Sequence, residues 1–110
     1  MIELGNLNVE REFNDVRFVC DAYLRLLDAA EPGEVYNICS GKPVTLSKVI
    51  ELLTKITGHC INVKVNPAFV RKNEVHRLFG NPEKLSNTIG VTQQSILKET
   101  LTWMLDRSDA

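Results

Sequence analysis

The chain has 110 residues, a formal net charge of −1, a hydrophobic fraction of 44% and a charged fraction of 25%. That length allows one small domain with a core of its own, and interspersed charges of both signs supply no surface for nucleic acid. No apolar run approaches the roughly 20 residues of a membrane span, and Met1 to Leu7 form neither a basic nor an apolar signal region, so the expectation is a cytoplasmic protein without a membrane partner.

The first element expected is an extended stretch from Val9 to Phe13, ending at Asn14. A helix follows from Asp15 to Ala30. Its charges Arg17, Asp21, Arg25 and Asp28 fall on one solvated stripe with i,i+4 partners. Val16, Val19, Cys20, Tyr23, Leu24, Leu26 and Leu27 occupy the rest, an apolar arc wide enough to be covered on two sides. Pro32-Gly33 stops the helix. Glu34 to Cys39 reads as a strand, and Ser40 to Pro43 as a turn. Thr45 caps a helix from Leu46 to Thr57, with Glu51 and Lys55 paired on its outer face and Gly58 at its end. Cys60 to Val65 reads as a strand broken by Asn66-Pro67, and a polar loop runs to Glu74. Val75 to Phe79 is a further short strand. Asn81-Pro82 opens a short helix to about Asn87, and Ile89 to Val91 connects onward. Ser95 caps a last helix, Ile96 to Arg107, with Leu97, Leu101, Met104 and Leu105 inward and the tail Ser108 to Ala110 frayed. The result is a mixed α/β chain of about four helices with a few short strands, too little sheet for its helices.

Several chemical patterns fail. Ser40-Gly41-Lys42 resembles the end of a phosphate loop, but Tyr36 stands where its first glycine belongs and Pro43 follows the lysine. There is no G-x-G-x-x-G after a strand and no G-x-S-x-G elbow. His59, Cys60 and His76 match no zinc spacing, so no metal site is expected. Cys20, Cys39 and Cys60 are odd in number, with Cys20 and Cys39 among apolar residues. They read as ordinary buried thiols of a reducing compartment.

Two arginines stand out by position. Arg11 precedes an aromatic residue and a helix start, and Arg71 lies in the loop three residues before Glu74. Two guanidinium forks converging on one crevice would clamp a diphosphate. Taken alone, the same residues also fit ordinary solvated side chains.

Four stretches in register add a resemblance. Gly5-Asn6-Leu7 with Arg11-Glu12-Phe13-Asn14-Asp15-Val16-Arg17 through Tyr23, Pro32 to Gly41, Asn66-Pro67 with Arg71-Lys72-Asn73-Glu74-Val75, and Gly80 to Leu85 together resemble extended short-chain dehydrogenases/reductases acting on nucleotide sugars. The nearest likeness is to the GDP-mannose 4,6-dehydratase and GDP-4-keto-6-deoxymannose reductase group. The resemblance implies that Arg11 and Arg71 contact the nucleotide diphosphate, that Glu74 reaches ribose hydroxyls, and that Asn6 lines the same crevice. It implies NAD(P) for a complete enzyme. This chain matches neither that family's glycine-rich cofactor loop nor its Tyr-x-x-x-Lys pair, because Leu27 and Ser40 stand four positions after Tyr23 and Tyr36. The expectation is therefore a C-terminal substrate-binding segment lacking the Rossmann half, with no catalytic residue and no cofactor of its own. Its expected partners are a GDP-linked sugar, the Rossmann half, and a second copy through the exposed apolar face. Phe18, Cys39, Lys72 and Asn81 depart from the family pattern, where aspartate, glycine, proline and aspartate are usual, and Lys72 loosens the loop that aims Arg71. Two other readings stand beside this one: a free-standing nucleotide-sugar carrier or sensor, and an interaction domain that keeps the fold without the site.

Overall fold

Three of the helices begin where a polar side chain takes a free amide. The computed structural model describes residues 1–90 and 96–107. Among these the order is β1 (Ile2–Leu4), β2 (Glu10–Arg11), α1 (Val16–Ala29), β3 (Val44–Thr45), α2 (Leu46–Thr57), β4 (Val63–Val65), a 3₁₀ turn (Pro67–Phe69), α3 (Glu83–Ile89) and α4 (Leu97–Arg107). Asp15 caps α1 by accepting from the Arg17 amide at 2.8 Å. Thr45 caps α2 by accepting from the Lys48 amide at 3.1 Å, and Gly58 closes that helix with φ of 69°, a conformation glycine adopts without a Cβ clash. Asn81 accepts from the Glu83 amide as α3 begins. The expected Ser95 cap, Val91 of the connector and the tail Ser108 to Ala110 lie outside the described residues.

The strands differ more from expectation. β1, which the sequence reading did not anticipate, pairs parallel with β4, Ile2 with Val63 through Leu4 with Val65. β2 pairs antiparallel with β3, Arg11 opposite Val44. The expected strand Val75 to Phe79 is reduced to one parallel bridge, Arg77 to Glu10. The expected strand Glu34 to Cys39 forms no ladder at all. A strand needs a neighbour for its amides and carbonyls, and no described segment offers one there. Side chains hold this stretch instead. Lys84 Nζ donates to the Val35 carbonyl at 2.7 Å and to the Glu34 carboxylate at 2.8 Å, and the Tyr36 hydroxyl accepts from the Glu31 amide.

α1 packs on α3, and α2 on α4. Only one side of the α1 arc is covered: Ala22 is 1% exposed, with Phe18, Val19 and Leu26 half-buried beside it. Val16, Cys20, Tyr23, Leu24 and Leu27 form an open stripe at helical spacing, so Cys20, like Cys60, is an exposed thiol and not the buried one expected. Met104 of α4 is also exposed, while Trp103 lies half-buried beneath the Arg17 guanidinium, 4.2 Å from its ring centroid. The buried apolar residues among those described are Ala22, Cys39 and Leu85. The shape is a slab of 47 × 37 × 20 Å with a radius of gyration of 16.6 Å. A compact chain of this length would have a radius of about 13 Å.

Candidate functional site

Residues 2–11 form the middle of three neighbouring stretches. On one side they run parallel to residues 62–78, tied at both ends. The Asn66 amide donates to the Leu4 carbonyl at 2.8 Å; farther on, the Glu10 amide donates to His76 and the Leu78 amide donates back to Glu10 at 3.0 Å. The second stretch has more residues between these ties than the first. Its surplus stands out as the loop holding Arg71 and Glu74. On the other side, the Ser47 amide and hydroxyl at the start of α2 both donate to the Leu7 carbonyl.

This arrangement brings all four expected residues onto two adjoining stretches. Asn6 follows Gly5, whose backbone lies so close to Phe69 that an added Cβ would come within 2.8 Å of the Phe69 carbonyl oxygen. The Asn6 carboxamide oxygen accepts from the Asn8 amide, an Asx turn that fixes its orientation. Arg11 is half-buried, and its Nη1 donates to the Glu10 carbonyl at 2.8 Å. Arg71 is exposed and forms no ion pair with the described residues. Glu74 is half-buried, and its Oε2 is closed off from solvent without a hydrogen-bond partner. A closed-off carboxylate oxygen of this kind is costly unless a donor reaches it.

Glu12 sits beside Arg11 and was not among the expected site residues. Its Oε1 accepts from the Ser40 amide at 2.7 Å and the Ser40 hydroxyl at 3.0 Å, and its Oε2 accepts from the Gly80 amide at 2.7 Å. Burial alone would raise its pKa, but these hydrogen bonds, together with one from the Asn14 side chain, outweigh it and leave the carboxyl below its usual value. Gly80 admits no side chain, since a Cβ there would lie 2.7 Å from Cys39 Sγ. Burial first, and the Glu12 charge second, push the Cys39 thiol up. The available clue was the pair of glycine-containing segments, Ser40-Gly41 and Gly80-Asn81, which run outside helix and strand and leave amides free for an acidic side chain.

A shallow depression of about 420 Å³ lies on α3, bounded by Asn81, Glu83, Lys84, Asn87 and Thr88. None of the four expected residues lines it. Among the described residues no His, Cys, Asp or Glu cluster could hold a metal, and no helix is long and apolar enough to cross a membrane.

The family profile described as GDP-mannose 4,6 dehydratase matches residues 1–104. The chain belongs to that family. It is 38% identical over 104 residues to the GDP-6-deoxy-D-mannose reductase of Pseudomonas aeruginosa, covering 94% of this chain and 34% of that protein. A crystal structure from Burkholderia cenocepacia J2315, of a protein provisionally assigned as an epimerase, superposes with a TM-score of 0.91 at 47% identity. The alignment covers 96% of this chain and 35% of that one. The structure of RMD from Pseudomonas aeruginosa complexed with NADPH superposes with a TM-score of 0.86 at 34% identity, covering 96% of this chain and 34% of that one. The GDP-mannose 4,6 dehydratase family thus accounts for nearly all of this chain, while the chain spans about a third of the length of the relatives it matches.

Proposed function

We propose that this chain is the nucleotide-sugar-holding part of an NAD(P)-dependent GDP-sugar dehydratase or reductase. The observation that carries the reading is the pair of adjoining stretches bearing Asn6 and Arg11 on one side and Arg71 and Glu74 on the other. There, among the described residues, Arg71 has no ion-pair partner and Glu74 Oε2 lacks a donor. Arg11 and Arg71 would hold the diphosphate through paired, charge-assisted hydrogen bonds. Glu74 would accept from ribose hydroxyls, supplying the missing donor, and Asn6 would line the same crevice. The family match and the 38% identity to a GDP-6-deoxy-D-mannose reductase favour a GDP-linked sugar.

The cofactor would be held by the Rossmann half that the relatives' greater length accommodates, and the open stripe of α1 is the face we assign to that half. NAD(P) supplies hydride chemistry when bound. This chain's own residues position the nucleotide end, and positioning contributes to rate only with the reacting half in place.

Calorimetric titration with GDP-mannose tests the reading. The wild-type chain should bind, and Arg71→Ala should weaken binding by about tenfold or more, matching the roughly 1.5–3 kcal/mol of a hydrogen bond to a charged group. The same preparation should leave NADPH unoxidised. Turnover of NADPH, or binding indifferent to Arg71→Ala, would overturn it. A second reading, an interaction domain that keeps the fold without the site, is favoured by the exposed α1 stripe. It gains if the folded chain gives no heat with GDP-mannose.

A further inference from the structure

Arg11 occupies the centre of a backbone junction whose far end is closed by one side chain. Ahead of Arg11, Glu10 is bridged to Arg77; at Arg11 itself the chain pairs with Val44. Just beyond, the Glu12 carboxylate takes both neighbouring stretches at once, the Ser40 amide and hydroxyl through one oxygen and the Gly80 amide through the other. The stretch 40–45 is therefore clipped to residues 10–12 at two points, and so is the stretch 77–80. These donors come from loops 28 and 68 residues away in sequence.

We propose that Glu12 is a positioning residue for Arg11, fixing the arginine's backbone so that its guanidinium stays in one pose without itself touching a ligand. This rests on the reading that Arg11 holds a nucleotide diphosphate, and it adds the residue that holds Arg11. The chemistry requires a carboxylate. Both oxygens face N–H or O–H donors, so the amide of a glutamine would turn its NH₂ toward one of them and lose that bond. A half-buried donor would then be left unsatisfied.

The test uses the 110-residue chain with Glu12→Gln, and Ser40→Ala as a milder variant that removes only the hydroxyl donor. Side-chain Nε–H relaxation by NMR, without ligand, should show Arg11 ordered in the wild type. In Glu12→Gln it should become mobile, with an order parameter falling below about 0.6. Ser40→Ala should shift Arg11 in the same direction by less, and Arg71 should change in neither variant. Titration with GDP-mannose supplies a second readout. Glu12→Gln should weaken binding about tenfold in the wild-type background and again in Arg71→Ala, but add nothing in Arg11→Ala, because effects acting through one residue do not add. A general loosening of the fold would instead multiply in all three backgrounds. Unchanged Arg11 order in folded Glu12→Gln, or a full further loss in Arg11→Ala, overturns the proposal. A wild type that binds no GDP-mannose overturns the binding reading, while the ligand-free relaxation still decides the role of Glu12.

Discussion

Asp15 is 2% exposed, and it accepts from the Arg17 amide at 2.8 Å, the Arg17 guanidinium at 2.6 Å and the Thr100 hydroxyl at 2.9 Å. The Arg17 hydrogen bond, working against burial, holds its carboxyl well below the usual carboxylate range. A folded pKa depressed in this way contributes stability that is complete above the unfolded value near 4 and is lost as pH falls. Asp15→Asn keeps an acceptor at the helix cap but removes the charge. It should therefore destabilise by about 1–2 kcal/mol at pH 7, a modest figure because Arg17 is half-exposed and partly screened. Denaturant unfolding should show that gap shrinking as pH drops from 5 towards 2; a constant gap would mean the charge contributes nothing. The sequence announced Asp15 as a helix start but not its tie to Thr100, because hydroxyl and carboxylate lie 85 residues apart. Arg71 and Glu74 stood out in the sequence only through their resemblance to a family motif. The hydrogen bonds of Glu12 did not, because they depend on two segments, 28 and 68 residues away, meeting around it.

At the scale of elements, the helices were readable from local chemistry. Leu46–Thr57 falls where its threonine cap and closing glycine place it, and the Glu51–Lys55 pair forms at 3.2 Å. Strands depend on partners, and that is where reading and structure part. Ile2–Leu4 became a strand because β4 lay beside it, while Glu34 to Cys39, with better strand residues, has no ladder. Its Val35 is 77% exposed. Hydrogen exchange on dilute protein should therefore find the amides of Val35, Asn37 and Ile38 exchanging far faster than those in the middle of α2, since no backbone carbonyl protects them. Protection equal to that of the helix would show that this stretch pairs after all. The contrast also bears on the site, for residues 10–12 are paired on both flanks while the loop of Arg71 is tied only at its ends.

Across the whole molecule, the accessible surface is 8018 Å², whereas a compact monomer of 12.4 kDa would expose about 6,100 Å². The excess goes with the slab shape and the few buried side chains, and it leaves apolar surface in water. Leu24 is 65% and Leu27 82% exposed on the α1 stripe, beside Tyr23 and Val16. Apolar surface left in water is relieved by association, at about 25 cal/mol for each Å² removed. For the 110-residue chain on its own, the surface expected to cover this stripe is the same stripe on another copy. Light scattering should therefore give a mass that rises with protein concentration. Replacing Leu24 and Leu27 together by glutamate should hold the chain monomeric, because both side chains stand in solvent and neither supports the core. Their exposure also means that melting of this double variant should match that of dilute wild type. A wild type that stays monomeric at high concentration would mean that the stripe is covered within the chain or is too small to act as an interface. The assignment of this face to a partner would then fail, whatever the titration with GDP-mannose shows.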